Sequence, residues 1–230
     1  MARFKKHPKF EGIYTSGFKE RQRIYTVNFD RNRVVYGEKL FDDGNTQYRE
    51  WNPYRSKLCS AIKNNARKTN IGKTTNLLYL GASSGTTVSH CSDIITHGSI
   101  YAVEFSPRSL RELVQNCTDR KNVIPILGDA NKPSEYSMFI SGSVDVIFQD
   151  VAQPNQTEIL IKNVKQFLKP RQGMFIYAIK ARSIDTTADP KEIFDKQIKM
   201  LEKNGLQVTD NVNISSFQTD HVVLFGRLVE

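Results

Sequence analysis

The residues with the most chemical potential stand at the ends of apolar runs. The run 76–81 opens into Gly81-Ala82-Ser83-Ser84-Gly85-Thr86-Thr87, and this loop leads directly into a helix start. Glycines let a ligand approach the backbone closely, while hydroxyls and the free amides of a helix start offer donors to a carboxylate. The spacing is G-x-x-x-G, not the G-x-G-x-x-G of dinucleotide sites. Glu104 ends the next apolar run, 23 residues after Gly81, where a carboxylate can accept both hydroxyls of a ribose. Asp129 follows the third run and is placed to take an adenine amino group. An adenosine site with an acid after each of two strands and no pyrophosphate glycine trio points to S-adenosylmethionine. Glu104 alone would read as a solvated strand end; the loop and both acids together reverse that. Gly72-Lys73-Thr74 imitates the tail of a phosphate-binding loop, but position 67 is Arg and the triplet precedes a strand instead of following one.

Such a site needs neighbouring strand ends, and the sequence supplies them. Apolar runs at 76–81, 99–105, 122–127, 143–150 and 173–179 alternate with amphipathic stretches, and continuous apolar runs imply strands buried on both faces. Ser106-Pro107 supplies a cap and a first-turn proline before Leu110, Leu113, Val114 and Cys117. Asn155 with Glu158 resembles a capping box before Leu160, Val164 and Phe167. Asp189-Pro190 opens a third helix that buries Phe194, Ile198 and Leu201 and stops at Asn204-Gly205. This alternation predicts an α/β fold built on a doubly wound parallel sheet, with ligands at the carboxyl ends of its strands. Two closing strands, 206–214 and 221–229, have no helix between them and are expected to pair antiparallel.

The start of the chain reads differently. Residues 24–29 alternate apolar and polar, 34–36 are β-branched and aromatic, and Asp43-Gly44 marks a hairpin turn. Helical spacing through Leu58, Cys59, Ile62 and Ala66 links this β-rich module to the larger one. The expected organisation is a small β-rich domain over 1–55 and a larger α/β domain over 56–230.

Of 230 residues, 39% are hydrophobic, enough to exclude a mostly disordered chain. No apolar run approaches the ~20 residues of a membrane helix, and the basic start MARFKKHPKFEG lacks the apolar stretch of a secretory signal, so the cytoplasm is the expected compartment. Cys59, Cys91 and Cys117 have neither disulfide density nor metal-ligand spacing, and buried free thiols are expected. His7, His90 and His97 show no metal spacing either. Residues 1–76 carry 17 basic against 7 acidic side chains, whereas 77–230 carry 16 against 17. A positive field confined to one segment makes nucleic acid the partner to test, against the plainer reading of solvated lysines and arginines.

Seven blocks resemble the fibrillarin family, in that family's order and almost end to end. They are WNPYRSKL (51–58), YLGASSGTT (79–87), VEFSPRSLREL (103–113), ILGDANKP (126–133), DVAQPNQ (150–156), IKARSID (179–185) and DHV (220–222). With no glycine-arginine-rich tract, the likeness is to archaeal-type members. The resemblance implies an amino-terminal β-domain followed by a Rossmann-like methyltransferase sheet with an antiparallel last strand. It implies 2′-O-methylation of ribose in ribosomal or transfer RNA, with S-adenosylmethionine as cofactor. The implied setting is a box C/D ribonucleoprotein with a guide RNA, a Nop-domain scaffold protein and a kink-turn-binding protein related to ribosomal protein L7. Carried over by motif, Gly81, Ala82, Thr86, Thr87, Glu104, Phe105, Asp129, Ala130, Asp150 and Gln153 would line the cofactor site. Lys57, Asp150, Lys180 and His221 match the family's catalytic set. Two features depart: Gln149, where many relatives have Glu, changes the charge beside Asp150, and Ser83-Ser84 is a small-residue change in the loop.

Methyl transfer from a sulfonium starts from an activated donor, so the protein must chiefly align the sugar hydroxyl and manage its proton, and no metal is required in principle. Alignment contributes roughly 7–11 kcal/mol at the favourable limit and general-base help about 10²–10⁴-fold, so the four residues are expected to orient first. A free carboxylate is too weak a base for an alcohol, and a free lysine is mostly protonated at neutral pH. The expected split makes Lys180 the proton acceptor or oxyanion stabiliser and Asp150 the orienter. Taken singly, Lys57 and His221 read as an exposed helix lysine and a satisfied edge-strand histidine. Asp150 has the better independent case, since it follows a buried-looking strand and precedes the Gln153-Pro154 turn. Two rivals stay open: an RNA-binding assembly subunit with a vestigial pocket, and a methyltransferase of a base or a protein side chain. The basic module is expected to meet RNA or scaffold through salt-sensitive, sequence-indifferent contacts.

Overall fold

The structure, a computed structural model, describes residues 4–17 and 21–229; the first three residues of the basic start and Lys19 lie outside the described residues. Strands β1 (Lys5–Lys6), β2 (Ile13–Ser16), β3 (Arg23–Val27), β4 (Leu40–Asp43) and β5 (Thr46–Trp51) form an antiparallel sheet in the order β1-β2-β3-β5-β4. The β4–β5 hairpin turns through Gly44 at φ 58°, as its Asp-Gly signal requires. Residues 34–36 are not a strand. The amides of Val35 and Tyr36 donate to the Glu38 carboxylate, so the chain wraps around a buried acid, and strand pairing begins only at Leu40.

Helix α1 (Lys57–Lys63), capped by Ser56 accepting from the Cys59 amide, leads to a second sheet. Its strands are β6 (Leu77–Leu80), β7 (Ile100–Glu104), β8 (Val123–Leu127), β9 (Val146–Gln149), β10 (Met174–Lys180), β11 (Leu206–Asn213) and β12 (His221–Leu228). Their order is β11-β12-β10-β9-β6-β7-β8. The five strands from β10 to β8 run parallel, and β12 pairs antiparallel with both β10 and β11. Between strands lie α2 (Thr86–Ile94), α3 (Pro107–Asn116), α4 (Pro133–Tyr136), α5 (Gln156–Phe167), α6 (Ala181–Ile184) and α7 (Pro190–Lys203).

Successive side chains of a strand point to opposite faces, and the apolar runs divide accordingly. Leu77, Tyr79, Ile100 and Phe148 join Leu58 of α1, Val88 and Cys91 of α2, and Ile13, Ile24 and Trp51 of the first sheet. Leu78, Leu80, Tyr101 and Ile147 join Ile159, Leu160 and Val164 of α5 and Leu201 of α7. Three further expectations need correction. β8 is an edge strand, and Ile124 and Leu127 are exposed on it, so it is not buried on both faces. In α3 only Leu113 is fully buried, while Val114 faces solvent. Asn155 makes no side-chain cap on α5; its amide reaches Asn131.

A buried polar cluster joins the two sheets. Arg49 of β5 pairs with Glu38 and with Asp93 of α2, and Arg120 pairs with the same Asp93. His90 stacks on Trp51 and is bonded through Nδ1 to Thr26 and through Nε2 to Tyr36. All three cysteines are free and buried. Among the described residues no helix is long and apolar enough to cross a membrane.

Candidate active site

The carboxyl end of β6 runs into Gly81 at φ 82°, where a Cβ would stand 2.5 Å from the Asp150 carbonyl oxygen. Only glycine lets this turn pass so close to the end of β9. Gly85, at φ 92°, caps α2, whose first turn presents the unpaired amides of any helix start. The Ser83 amide donates to Glu104 Oε2 at 2.7 Å and the Ser106 amide to Oε1 at 2.9 Å. Glu104 thus ties the glycine loop to the tip of β7, and each oxygen keeps a lone pair for a further donor.

Two adjoining cavities share Gly81, Ser83, Asp150, Val151 and Ala152. The smaller, about 290 Å³, is lined by Glu104, Phe105, Ala130 and Gln153. The larger, about 430 Å³, is lined by Lys57, Ala82, Thr86, Thr87, Lys180 and His221. Together they form one crevice across the carboxyl ends of the parallel strands. Every expected site residue lines it except Asp129, which sits half-buried between the lining residues Gly128 and Ala130 and accepts from the Asn131 amide at 2.9 Å.

Lys57 at the start of α1 meets Asp150 at 2.7 Å, with both side chains about a fifth exposed (19% and 21%). Lys180 and His221 face each other across the β10–β12 ladder. His221 Nδ1 lies 2.6 Å from the Thr219 carbonyl. A carbonyl only accepts, so Nδ1 carries the proton and Nε2 keeps a free lone pair. Burial above all holds the His221 pKa below its ordinary 6.5; the cations Lys57 and Lys180 act in the same direction, against the Thr219 bond and Asp150. The imidazole is therefore neutral at pH 7.

Arg55, Tyr79 and Gln218 also line the larger cavity, and sequence reasoning did not single them out. Tyr79 is buried and bonded to Thr87, which donates in turn to Ser56; burial pushes its hydroxyl pKa well up. Arg55 and Tyr79 fall inside the blocks 51–58 and 79–87, a signal that could have found them. Gln218 falls in none. Gln149 is buried and donates to the Gln156 carbonyl at 2.6 Å, and the Gln156 side chain accepts from the Lys180 amide. The neutral amide at position 149 therefore belongs to the packing that holds Lys180.

The crevice fits S-adenosylmethionine by its donor set: a carboxylate with spare acceptors for a vicinal diol, an exposed Phe105 ring for a base, and helix-start amides for an amino-acid carboxylate. A family model described as Fibrillarin matches residues 4–230. The chain is 48% identical over 227 residues to a fibrillarin-like rRNA/tRNA 2′-O-methyltransferase of Methanococcus maripaludis, covering 98% of each. In structure it is similar to Aeropyrum pernix fibrillarin in complex with natively bound S-adenosyl-L-methionine, with a TM-score of 0.88, 40% identity and coverage of 98% of this chain and 100% of that one. It is also similar to a chain of a fibrillarin/Nop5p complex, with a TM-score of 0.81, 41% identity and coverage of 90% and 94%.

Proposed function

The chain belongs to the fibrillarin family, and on that footing we propose that it is the catalytic subunit of a box C/D ribonucleoprotein, an S-adenosylmethionine-dependent enzyme that methylates ribose 2′-hydroxyls of ribosomal and transfer RNA. A Nop-domain protein is its scaffold. Pairing with a guide RNA chooses the nucleotide, a kink-turn-binding protein related to ribosomal protein L7 completes the particle, and such substrates put it in the cytoplasm of an archaeal-type cell. One observation carries the reading: the Lys57–Asp150 pair, Lys180 and a neutral His221 share the wall of the crevice that Glu104 lines.

S-adenosylmethionine supplies a methyl group already activated on a sulfonium. Glu104 would take its ribose hydroxyls, Phe105, Ala130, Gln153 and Asp129 would enclose the adenine, and Gly81, Ala82, Thr86 and Thr87 would receive the amino-acid end. Asp150, paired with Lys57, accepts a hydrogen bond from the 2′-hydroxyl in the bound complex and so aims its oxygen. As its oxygen is methylated, the hydroxyl gives up its bond to Asp150; we assign its single proton to His221 Nε2, which has a free lone pair at neutral pH, and assign to the Lys180 ammonium the charge that develops on the oxygen. A carboxylate is a weaker base than an imidazole, which is why Asp150 orients and the proton goes to His221.

The test is to locate the methyl group. In a reconstituted particle with labelled donor, nuclease digestion and mass spectrometry should place the label on the ribose of one nucleotide, and a target with 2′-deoxyribose there should receive none. Label on a base, on protein, or on the deoxy target would overturn the reading.

A further inference from the structure

The mouth of the larger cavity carries chemistry that the four catalytic candidates do not use. Two loops meet there. The segment between β5 and α1 brings Tyr54 and Arg55, and the segment between β11 and β12 brings Phe217 and Gln218. Arg55 and Gln218 line the cavity together with Lys57 and His221. Tyr54 and Phe217, with ring centroids 5.2 Å apart and planes at 79°, line an adjoining groove of about 770 Å³ that runs on to Arg23 and Lys63. The aromatic pair is therefore the threshold between the crevice and this groove.

The threshold has features that packing does not require. Tyr54 is 64% exposed. Arg55 lies 5.9 Å from the Tyr36 ring centroid and, among the described residues, has no carboxylate at ion-pair distance, whereas Lys57 two positions later is paired with Asp150. In the groove the one acid, Glu50, is taken by Arg23, so Lys63 leaves a net positive charge. A guanidinium fork matches a phosphodiester, and aromatic faces stack on any base without reading sequence. A particle that selects its target by guide pairing needs that combination.

We propose that this threshold seats the substrate RNA strand beside the target nucleotide: Arg55 takes the phosphate adjoining the target ribose, the Tyr54–Phe217 pair stacks the neighbouring nucleotide, and the strand continues along the groove toward Lys63. The proposal rests on the reading of the chain as an RNA ribose methyltransferase and adds where the strand lies.

The experiment is single-turnover methylation by the reconstituted particle. Its targets carry an ordinary backbone or one uncharged methylphosphonate on either side of the target nucleotide. One of the two neutral linkages should slow the wild-type particle about tenfold to a hundredfold, Arg55→Ala should lose as much on ordinary RNA, and the two losses should not multiply when combined. Tyr54→Ala and Phe217→Ala should each slow turnover about tenfold, with donor affinity by calorimetry unchanged. Wild-type rates in Arg55→Ala, or losses that multiply, would overturn the proposal and leave ribose methylation standing. Variants that instead shed the scaffold protein would make this a protein interface and equally overturn it. Only a wild-type particle that methylates no ribose would bring down the reading beneath.

Discussion

Asp93 and Asp150 each meet a cation at less than 3 Å, yet they belong to opposite kinds of site. Asp93 has no exposed side-chain surface, and its two oxygens are taken by Arg49, Arg120, the Thr26 hydroxyl and the Phe29 amide. Asp150 keeps a fifth of its side chain open to a crevice and is held by one lysine. A buried carboxylate with every acceptor filled can only hold elements together, here the first sheet to the helix whose other end forms the glycine loop. A carboxylate with acceptor capacity left over can still direct a hydroxyl. Charge pairing alone does not distinguish scaffold from chemistry; the unfilled remainder does.

The sharpest way to break this comparison is Asp93→Ala. It strands the buried Arg120 guanidinium and leaves Arg49 only Glu38 as a carboxylate partner, and breaking a buried pair costs about 3–5 kcal/mol, to be read by urea unfolding. A loss under about 1 kcal/mol would mean that the cluster is not scaffold. Next in size is Glu104→Ala, which removes the acceptors for the donor's ribose and frees the Ser83 amide. Calorimetry should show S-adenosylmethionine binding weakened roughly 10–150-fold, and unchanged affinity would remove Glu104 from the site.

Acid should act on the crevice through His221. Protonation fills the Nε2 lone pair, so single-turnover methylation should fall as pH drops through a value below the ordinary 6.5 and stay flat above it. His221→Gln should lower the plateau and erase that acid limb. A rate that keeps climbing through alkaline pH would move the proton to an amine. The smallest effect on stability is expected from Lys57→Met: the pair is a single lysine on a carboxylate that faces an open crevice, so unfolding should lose less than with Asp93→Ala, whereas the methylation rate should drop well beyond what that loss explains. An unfolding loss as large as that of Asp93→Ala would make the two pairs alike.

How much of this was readable in the sequence follows the same division. Four of the five parallel strands were legible because burial on both faces writes itself as unbroken apolar runs. β8 shares the apolar composition but lies at an edge with Ile124 and Leu127 exposed. The closing antiparallel pair was legible because no helix separates its strands. Gly81, Glu104 and Asp150 were legible because strand ends announce themselves by the polar residue that follows an apolar run. Residues 34–36 misled because β-branched and aromatic types look like a strand, while the Glu38 carboxylate that captures their amides gives no periodic signal. The Arg49–Asp93–Arg120 cluster was not legible at all. Charged residues read as surface, and these partners are 44 and 27 positions apart, so only the fold brings them together. His90 hid for the same reason, and with Arg49 inside the protein the positive charge of residues 1–76 is not all available to a polyanion.

The central claim is that Asp150 and Lys180 act on the sugar hydroxyl and not on the fold or the cofactor. It is tested most directly by single-turnover ribose methylation with Asp150→Asn and Lys180→Met particles, each first shown to be folded, scaffold-bound and saturated with S-adenosylmethionine. The account predicts a loss of at least about a hundredfold in each; methylation at the wild-type rate in both would contradict it.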